Sequence, residues 1–268
     1  MRTGIERHRL RTTFEEVPEL YDRARPVYPG AIFDALVALA GLAAGGRVVE
    51  IGCGTGQATL PLAERGLEIV CIELGPGLAA VARWKLAAFP RVQVVNTTFE
   101  AWRPGVADFD AVVAFTSFHW VDPEERFVKT AAVLRERGAL AVVEAPHVLP
   151  EGGDPFWVEV QEDYDAVVPS DENRAPLRPD EVDDLSDEID GSGYFRTVAV
   201  RRHLWEINYT ADEYIALLGT FSPNLALDPE MRARLFDRIH RRIEARPGGT
   251  VTKTHLATLN VARRLQRA

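Results

Sequence analysis

Residues 48–60 read VVEIGCGTGQATL. An apolar run enters a turn in which glycine takes alternate positions, Gly52, Gly54 and Gly56, and a helix-like run follows. Glycine at that density strips the loop of side chains, so that a ligand or another stretch of chain can lie against the backbone itself. The run that leads in, RVVEI (47–51), is continuously apolar up to its glutamate rather than alternating, as in a strand buried on both faces. A parallel strand passing through a bare loop into a helix is the reading from which the rest follows.

The same alternation continues downstream. QATLPLAERG (57–66) reads as a helix ending at a glycine, and LEIVCIE (67–73) as the second strand. GLAAVARWKLAAF (77–89) is helical, and VQVVN (92–96) and FDAVVAF (109–115) are strands. PEERFVKTAAVLRERG (123–138) reads as one helix, with proline at its start and glycine at its end. ALAVVEA (139–145) is the fifth strand. Upstream, residues 14–22 form a short helix broken by Pro26 and Pro29, and AIFDALVALA (31–40) a helix stopped by Gly45 and Gly46. Strands alternating with helices predict an α/β fold: a doubly wound, Rossmann-like, mostly parallel sheet with helices on both faces.

After residue 146 the pattern changes. HVLPEGGDPFWVEV leads into the acidic DENRAPLRPDEVDDLSDEID (171–190), which a solvated face or loop explains without a function. TVAVRRHLWEINYT (197–210) has strand alternation, and ADEYIALLGTF (211–221) is helical. PEMRARLFDRIHRRIEARPGG (229–249) is a longer amphipathic helix, and TVTKTHLATLNVA (250–262) a terminal strand. The expected division is a ligand-binding core at 1–146, a cap inserted after the fifth strand at 147–195, and a segment at 196–268 that completes a seven-stranded sheet and the acceptor side of the pocket.

The chain has 268 residues, 46% of them hydrophobic, enough for a substantial core, and a net charge of −9. That sign opposes non-specific binding to nucleic acid or anionic membrane. The two cysteines, Cys53 and Cys71, read as buried thiols rather than a disulfide. MRTGIERHRLRTTF is too charged for a secretory signal, and AIFDALVALAGLAAGG is too short and interrupted to span a bilayer. A cytoplasmic protein with no metal site is the expectation.

What the loop holds follows from its neighbours. A dinucleotide fingerprint puts glycines at relative positions one, three and six, but Gln57 stands at the sixth. Glu50, just before the loop, would repel a pyrophosphate and attract an amino group or a cation. No Gly-Lys-Ser/Thr follows, which excludes a P-loop. Glu73 ends the second strand 21 residues after Gly52, where an acid accepts hydrogen bonds from the hydroxyls of an adenosine ribose. The implied ligand is an adenosine without phosphates and with a cationic, amino-bearing tail, a description that S-adenosylmethionine fits.

EIGCGTGQAT, IVCIELG and VVNTTFEAW resemble the first three motifs of class I S-adenosylmethionine-dependent methyltransferases. LYDRARPVYP (20–29) and SFHWVDPEE (117–125) resemble the small-molecule branch that includes trans-aconitate methyltransferase. The likeness covers about residues 14–146, and beyond them it is one of layout. It implies cofactor contacts from Gly52, Cys53, Gly54, Gly56 and Gln57, with Glu50 orienting the ligand's amino group through the loop or a water. Glu73 and Leu74 would hold the ribose, and Thr98, Phe99 and Glu100 the adenine. Phe115 and Thr116 would flank the methionine portion. Tyr21 and Arg25 would form an N-terminal lid, with the Arg25 fork matched to the methionine carboxylate.

His119, just past the fourth strand, is the candidate catalytic base, since a neutral imidazole can take a proton from a hydroxyl or an acidic carbon. A histidine that orders the loop or touches the cofactor is the simpler reading. Trp120, Trp157, Trp205, His203, Tyr209 and His255 either line an acceptor pocket or fill the core. The resemblance implies methylation of a small molecule, oxygen slightly ahead of carbon or nitrogen, with no nucleic acid or membrane partner. FTSFHW stands where an Asn-Pro-Pro-aromatic motif would mark amine or nucleobase methylation. Two alternatives stay open. One is an RNA or protein methyltransferase using the arginines at 232, 234, 238, 241, 242 and 246 with Arg263, Arg264 and Arg267. The other is a non-methylating protein that binds the same cofactor on this fold.

Overall fold

A computed structural model describes residues 17–105, 108–170 and 174–266. Residues 14–16 of the first expected helix, the start of the acidic run and Arg267 lie outside the described residues. Five parallel strands carry the fold: β1 (Arg47–Ile51), β2 (Glu68–Glu73), β3 (Val92–Asn96), β4 (Phe109–Phe115) and β5 (Leu134–Glu144). They are joined by a two-residue β6 (His147–Val148) and by two long antiparallel strands, β7 (Phe195–Thr210) and β8 (Thr250–Arg264). The spatial order is β3-β2-β1-β4-β5-β8-β6, with β7 paired to β8. The sheet is thus the mostly parallel, Rossmann-like α/β sheet expected, with the two-residue β6 as its eighth strand.

Burial explains the strand sequences. β1 and β4 lie in the middle and are buried on nearly every residue, which their continuous apolar runs require. β3 is the edge, and its VQVVN leaves Gln93 and Asn96 exposed. One face of the sheet packs on α2 (Gly30–Ala40), α3 (Thr59–Glu64) and α4 (Pro76–Lys85), with Phe33, Leu36, Leu62 and Leu86 in a core of its own, and α1 (Pro18–Ala24) rests on α4. The other face packs on α5 (Arg126–Val133), with Phe118, Phe127 and Leu140 in a second core.

The helix expected over 123–138 ends earlier. α5 stops at Val133, and Leu134 already pairs with Phe109 in the sheet. The register then shifts, Ala139 pairing with Ala111, with Arg137 in the left-handed region at φ 59°. Leu134 is buried and Arg135 forms an ion pair with Asp110 at 2.7 Å, so tertiary pairing overrides the helical propensity of LRER.

Beyond β6, α6 (Phe156–Glu159) and α7 (Gln161–Val167) share a third core with α9 (Ala211–Leu218) and α11 (Pro229–Glu244), built on Phe156, Trp157, Tyr214 and Ile239. α8 (Ser186–Gly191) joins the second core instead through Ile189. The segment at 147–195 is therefore divided between two cores. No described helix is long and apolar enough to cross a membrane.

Candidate active site

Strand order reverses between β1 and β4, and in open α/β sheets ligands bind beyond the carboxyl ends of the strands at such a switch point. A cavity of about 280 Å³ opens there. It is lined by Ile51, Gly52 and Gly54 at the end of β1, by Ile72, Glu73, Leu74 and Leu78 at and beyond the end of β2, by Thr97 to Glu100 beyond β3, and by Phe115 at the end of β4. Thr116, His119 and Trp120 follow β4, Tyr21 and Arg25 lie at α1, and Phe221–Pro223 close the rim.

The bare loop is dictated locally. Gly52 has φ 65°, and a Cβ there would lie 2.7 Å from the Ser117 Cβ, so the loop and the turn after β4 cannot both keep side chains. Gly54 has φ 56°, and a Cβ there would lie 3.6 Å from the Tyr21 ring, which packs over the loop. The Glu73 carboxylate fixes this shape: Oε2 accepts from the Gly54 N–H and Oε1 from the Gly75 N–H, each at 2.8 Å. An ionised acceptor on two backbone donors is a strong arrangement.

Several residues of the motif serve the loop from behind and do not line the cavity. Glu50 is buried and accepts from the Thr59 hydroxyl at 2.7 Å. Burial pushes its carboxyl up to about 7, against the Thr59 bond and helped by the Glu73 charge. The Cys53 thiol is raised first by its hydrogen bond with Cys71 and then by burial. Gly56 faces Leu86. The Gln57 amide donates to the carbonyls of Asp22 and Arg25 at 3.3 and 3.4 Å, tying α1 over the loop.

Arg25 closes the cavity from above. Its guanidinium lies over the rings of Tyr21 (4.8 Å) and Phe221 (4.4 Å) and donates to the Thr220 carbonyl at 2.7 Å. Burial raises the Tyr21 phenol above its ordinary value. On the third-strand side, Phe99 stacks on Trp102 at 6.3 Å, and Glu100 accepts from the Asp122 N–H at 3.1 Å. Thr98 accepts from the Ala101 N–H, forming a tight turn.

Past β4 the backbone is strained: Thr116 has φ 49°, which a β-branched residue adopts only when its surroundings impose it. The Val143 carbonyl accepts its N–H at 2.7 Å, and its hydroxyl shares a hydrogen bond of 3.1 Å with that of Tyr28. His119 is half-exposed on the cavity wall, its Nδ1 3.4 Å from Glu144 Oε1 at the end of β5.

Twelve of the expected residues, Tyr21, Arg25, Gly52, Gly54, Glu73, Leu74, Thr98, Phe99, Glu100, Phe115, Thr116 and His119, thus meet in one cavity. Of the six acceptor-pocket candidates, Trp120, Trp157, Trp205, His203, Tyr209 and His255, only Trp120 lines it. Trp157, Tyr209 and His255 are buried elsewhere, Trp205 stacks on His255 at 4.9 Å, and His203 is half-buried on β7. Sequence reasoning missed Leu78, whose helical phase was a usable signal, and Phe221–Pro223, for which TFSPN offers none.

Residues 48–138 match the model of a family described as a methyltransferase domain. An uncharacterised methyltransferase of Mycobacterium tuberculosis is 35% identical over 137 residues, 51% of this chain and 54% of that protein. A trans-aconitate 2-methyltransferase of Paracidovorax citrulli is 32% identical over 135 residues, 47% of this chain and 48% of that protein. The match spans about half the length of each of these relatives. Among solved structures, one described as a candidate type II methyltransferase from Anaeromyxobacter dehalogenans shares the fold at a TM-score of 0.62. Its identity is 22%, over 89% of this chain and 97% of that one.

Proposed function

We propose that this chain, whose residues 48–138 match the methyltransferase-domain model, binds S-adenosylmethionine at the switch point and methylates a hydroxyl of a small molecule. The observation that carries the reading is that Gly52, Gly54, Glu73, Phe99 and His119 all face one cavity. The residues present fit the cofactor. Glu73 holds the loop through both oxygens and lines the cavity, and a carboxylate there suits the hydroxyls of a ribose. Ile72, Leu78 and Phe99 offer an apolar slot for a base. Arg25, stacked at the rim, suits the carboxylate of an amino-acid tail. Glu50 acts on that tail through the loop rather than by contact.

When bound, S-adenosylmethionine supplies an electrophilic methyl group on a sulfonium. The chain contributes position and a water-poor wall, which in aligned reactions account for up to about 7–11 kcal/mol of the barrier. Phe115, Thr116 and the Phe221–Pro223 turn exclude water from the acceptor's face, and His119 Nε2 takes the hydroxyl proton while Glu144 holds Nδ1. Oxygen is favoured because this base stands on the cavity wall. A nucleic-acid acceptor is disfavoured. Four of the six arginines on the basic segment, Arg238, Arg241, Arg242 and Arg246, have carboxylate partners within the chain, chiefly Asp163, Asp237 and Asp154.

The test is calorimetric titration with S-adenosylmethionine, S-adenosylhomocysteine and NAD. Micromolar binding of the first two without NAD is expected, and binding of NAD alone overturns the proposal. Glu73→Ala is expected to weaken S-adenosylhomocysteine by about 1.5–3 kcal/mol, roughly 10- to 150-fold, with Glu73→Gln between. Unchanged affinity would remove Glu73 from the ribose.

A further inference from the structure

Next to the cavity stands a polar cluster that the methyl-transfer scheme leaves unused. Its frame is the part of β8 that runs past the end of β5. There His255 pairs with His147 on one side and Trp205 on the other, and Lys253 pairs with Ile207. Residues two apart on a strand share a face, so Lys253 and His255 project together. The Trp205 ring stacks on His255, and His147 lies 6.3 Å from His255 and edge-on to Trp157 at 4.1 Å. The Lys253 Nζ stands 5.3–5.6 Å from the rings of Trp157, Tyr214 and Phe221, and the residue is 5% exposed.

Two aromatic side chains link this cluster to the cavity. Phe221 belongs to the cavity wall and carries the Arg25 guanidinium as well as the Lys253 ammonium. Tyr28 reaches from the Thr116 hydroxyl to the Trp205 ring, 6.3 Å between centroids. The cluster is therefore one ring away from the atoms that face the reacting centre.

Its polar groups are mostly donors and lack an acid. Among the described residues no carboxylate lies within ion-pair distance of Lys253, although the chain as a whole is acidic. The nearest carboxylate on that stretch, Glu206, is engaged with the Thr254 hydroxyl, one residue out of phase with Lys253. The His147 Nε2, the Trp205 indole N–H and the Tyr209 hydroxyl are buried without a partner among the described residues. Buried polar groups left unmatched are rare, and each asks for an explanation such as a bound ligand. Facing Lys253 are Arg25 beyond α1, His147 on β6, His255 on its own strand and Tyr214 on α9, none of them an acid that would hold an ammonium. Burial first, and Arg25 second, lower the Lys253 amine to about 7. Three aromatic faces do not offset that penalty.

We propose that this cluster is the anion-binding subsite of the methyl acceptor, in which Lys253 receives a carboxylate and the Trp205 indole and the imidazoles of His147 and His255 complete its hydrogen bonds. The inference rests on the methyl-transfer reading and names its substrate class: a small hydroxy acid, its hydroxyl at Thr116 and His119 and its carboxylate beyond Phe221. Phe221 starts the turn into α10 (Ser222–Leu225) and stands between the cavity, which it lines, and Lys253 Nζ, 5.3 Å from its ring.

The experiment is calorimetry on the full chain saturated with S-adenosylhomocysteine at pH 8. It is titrated with the isomeric hydroxybenzoates and the matching neutral hydroxybenzamides, in buffers of different ionisation enthalpy. A hydroxybenzoate is expected to bind at least about tenfold more tightly than its amide, with uptake of about one proton as Lys253 becomes charged. Lys253→Met is expected to abolish both the preference and the uptake while S-adenosylhomocysteine still binds. If that variant does not fold, Trp205→Phe, which removes one donor, is expected to cut the preference severalfold. No carboxylate preference in the wild type, or a preference that survives Lys253→Met, overturns the subsite. Failure of the wild type to bind S-adenosylhomocysteine would instead sink the methyl-transfer reading, so the two failures are distinct.

Discussion

His119→Ala is expected to lower turnover by about 10²- to 10⁴-fold, the usual contribution of a positioned base, with S-adenosylhomocysteine affinity unchanged. The expectation rests on position. His119 lies on the cavity wall three residues past the strained Thr116, and its Nδ1 is 3.4 Å from Glu144 Oε1. That contact fixes which nitrogen is left to face the cavity, so Glu144→Gln should reduce turnover less, by loosening the ring rather than removing it. Added imidazole should restore part of the His119→Ala rate, because a small base can enter a half-exposed site. Were affinity to fall in step with turnover, with no rescue, His119 would be a cofactor contact and no base.

The central strands were legible because a strand buried on both faces must be continuously apolar, and RVVEI and FDAVVAF are nearly so. LRER was misread because its propensity is helical while its partners, Phe109 and Asp110, lie about 25 residues upstream. The site divides in the same way. Residues at the ends of consecutive strands fall into one cavity by topology alone, so Glu73, Thr98 and Thr116 were readable as a group. A motif also contains residues that shape its loop without facing a ligand. Spacing does not separate Gly54, on the cavity, from Glu50, Cys53, Gly56 and Gln57 behind it. Phe221 was invisible because its place depends on Arg25 reaching the Thr220 carbonyl, a contact 195 residues apart in the chain. His255 was readable only as an acceptor-pocket or core candidate on a terminal strand, and Lys253 carried no signal of its own. Only the pairing of β8 with β6 and β7 reveals that they are buried together.

That burial has a consequence for stability. Between pH 4.5 and 6.5 the fold is expected to weaken as the pH falls, and two histidines set the slope. Burial first, and the Lys253 charge second, hold His147 down to about 2 and His255 to about 3, against an ordinary value of 6.5. In that window the unfolded chain binds two protons that the native chain refuses, so stability rises with pH by about 1.4 kcal/mol per unit for each histidine. Glu50 acts in the opposite sense. Raised to about 7 from 4.5, it is protonated in the native state and ionised in the unfolded one, which subtracts about 1.4 kcal/mol per unit. Lys253 is silent below about 7 and adds stability only as the pH rises from there towards 10.5. The net expectation from these groups is a gain of about 1.4 kcal/mol per unit, or about 2.7 kcal/mol across the window. Urea midpoints at pH 4.5 and 6.5 test it by difference, since other carboxylates are common to all variants. His255→Phe should flatten the slope by one histidine's share, and Glu50→Gln should steepen it by the same amount. Two variants with the wild-type slope would mean that these groups are solvated in the native chain, and the dry cluster beside the cavity would go with them.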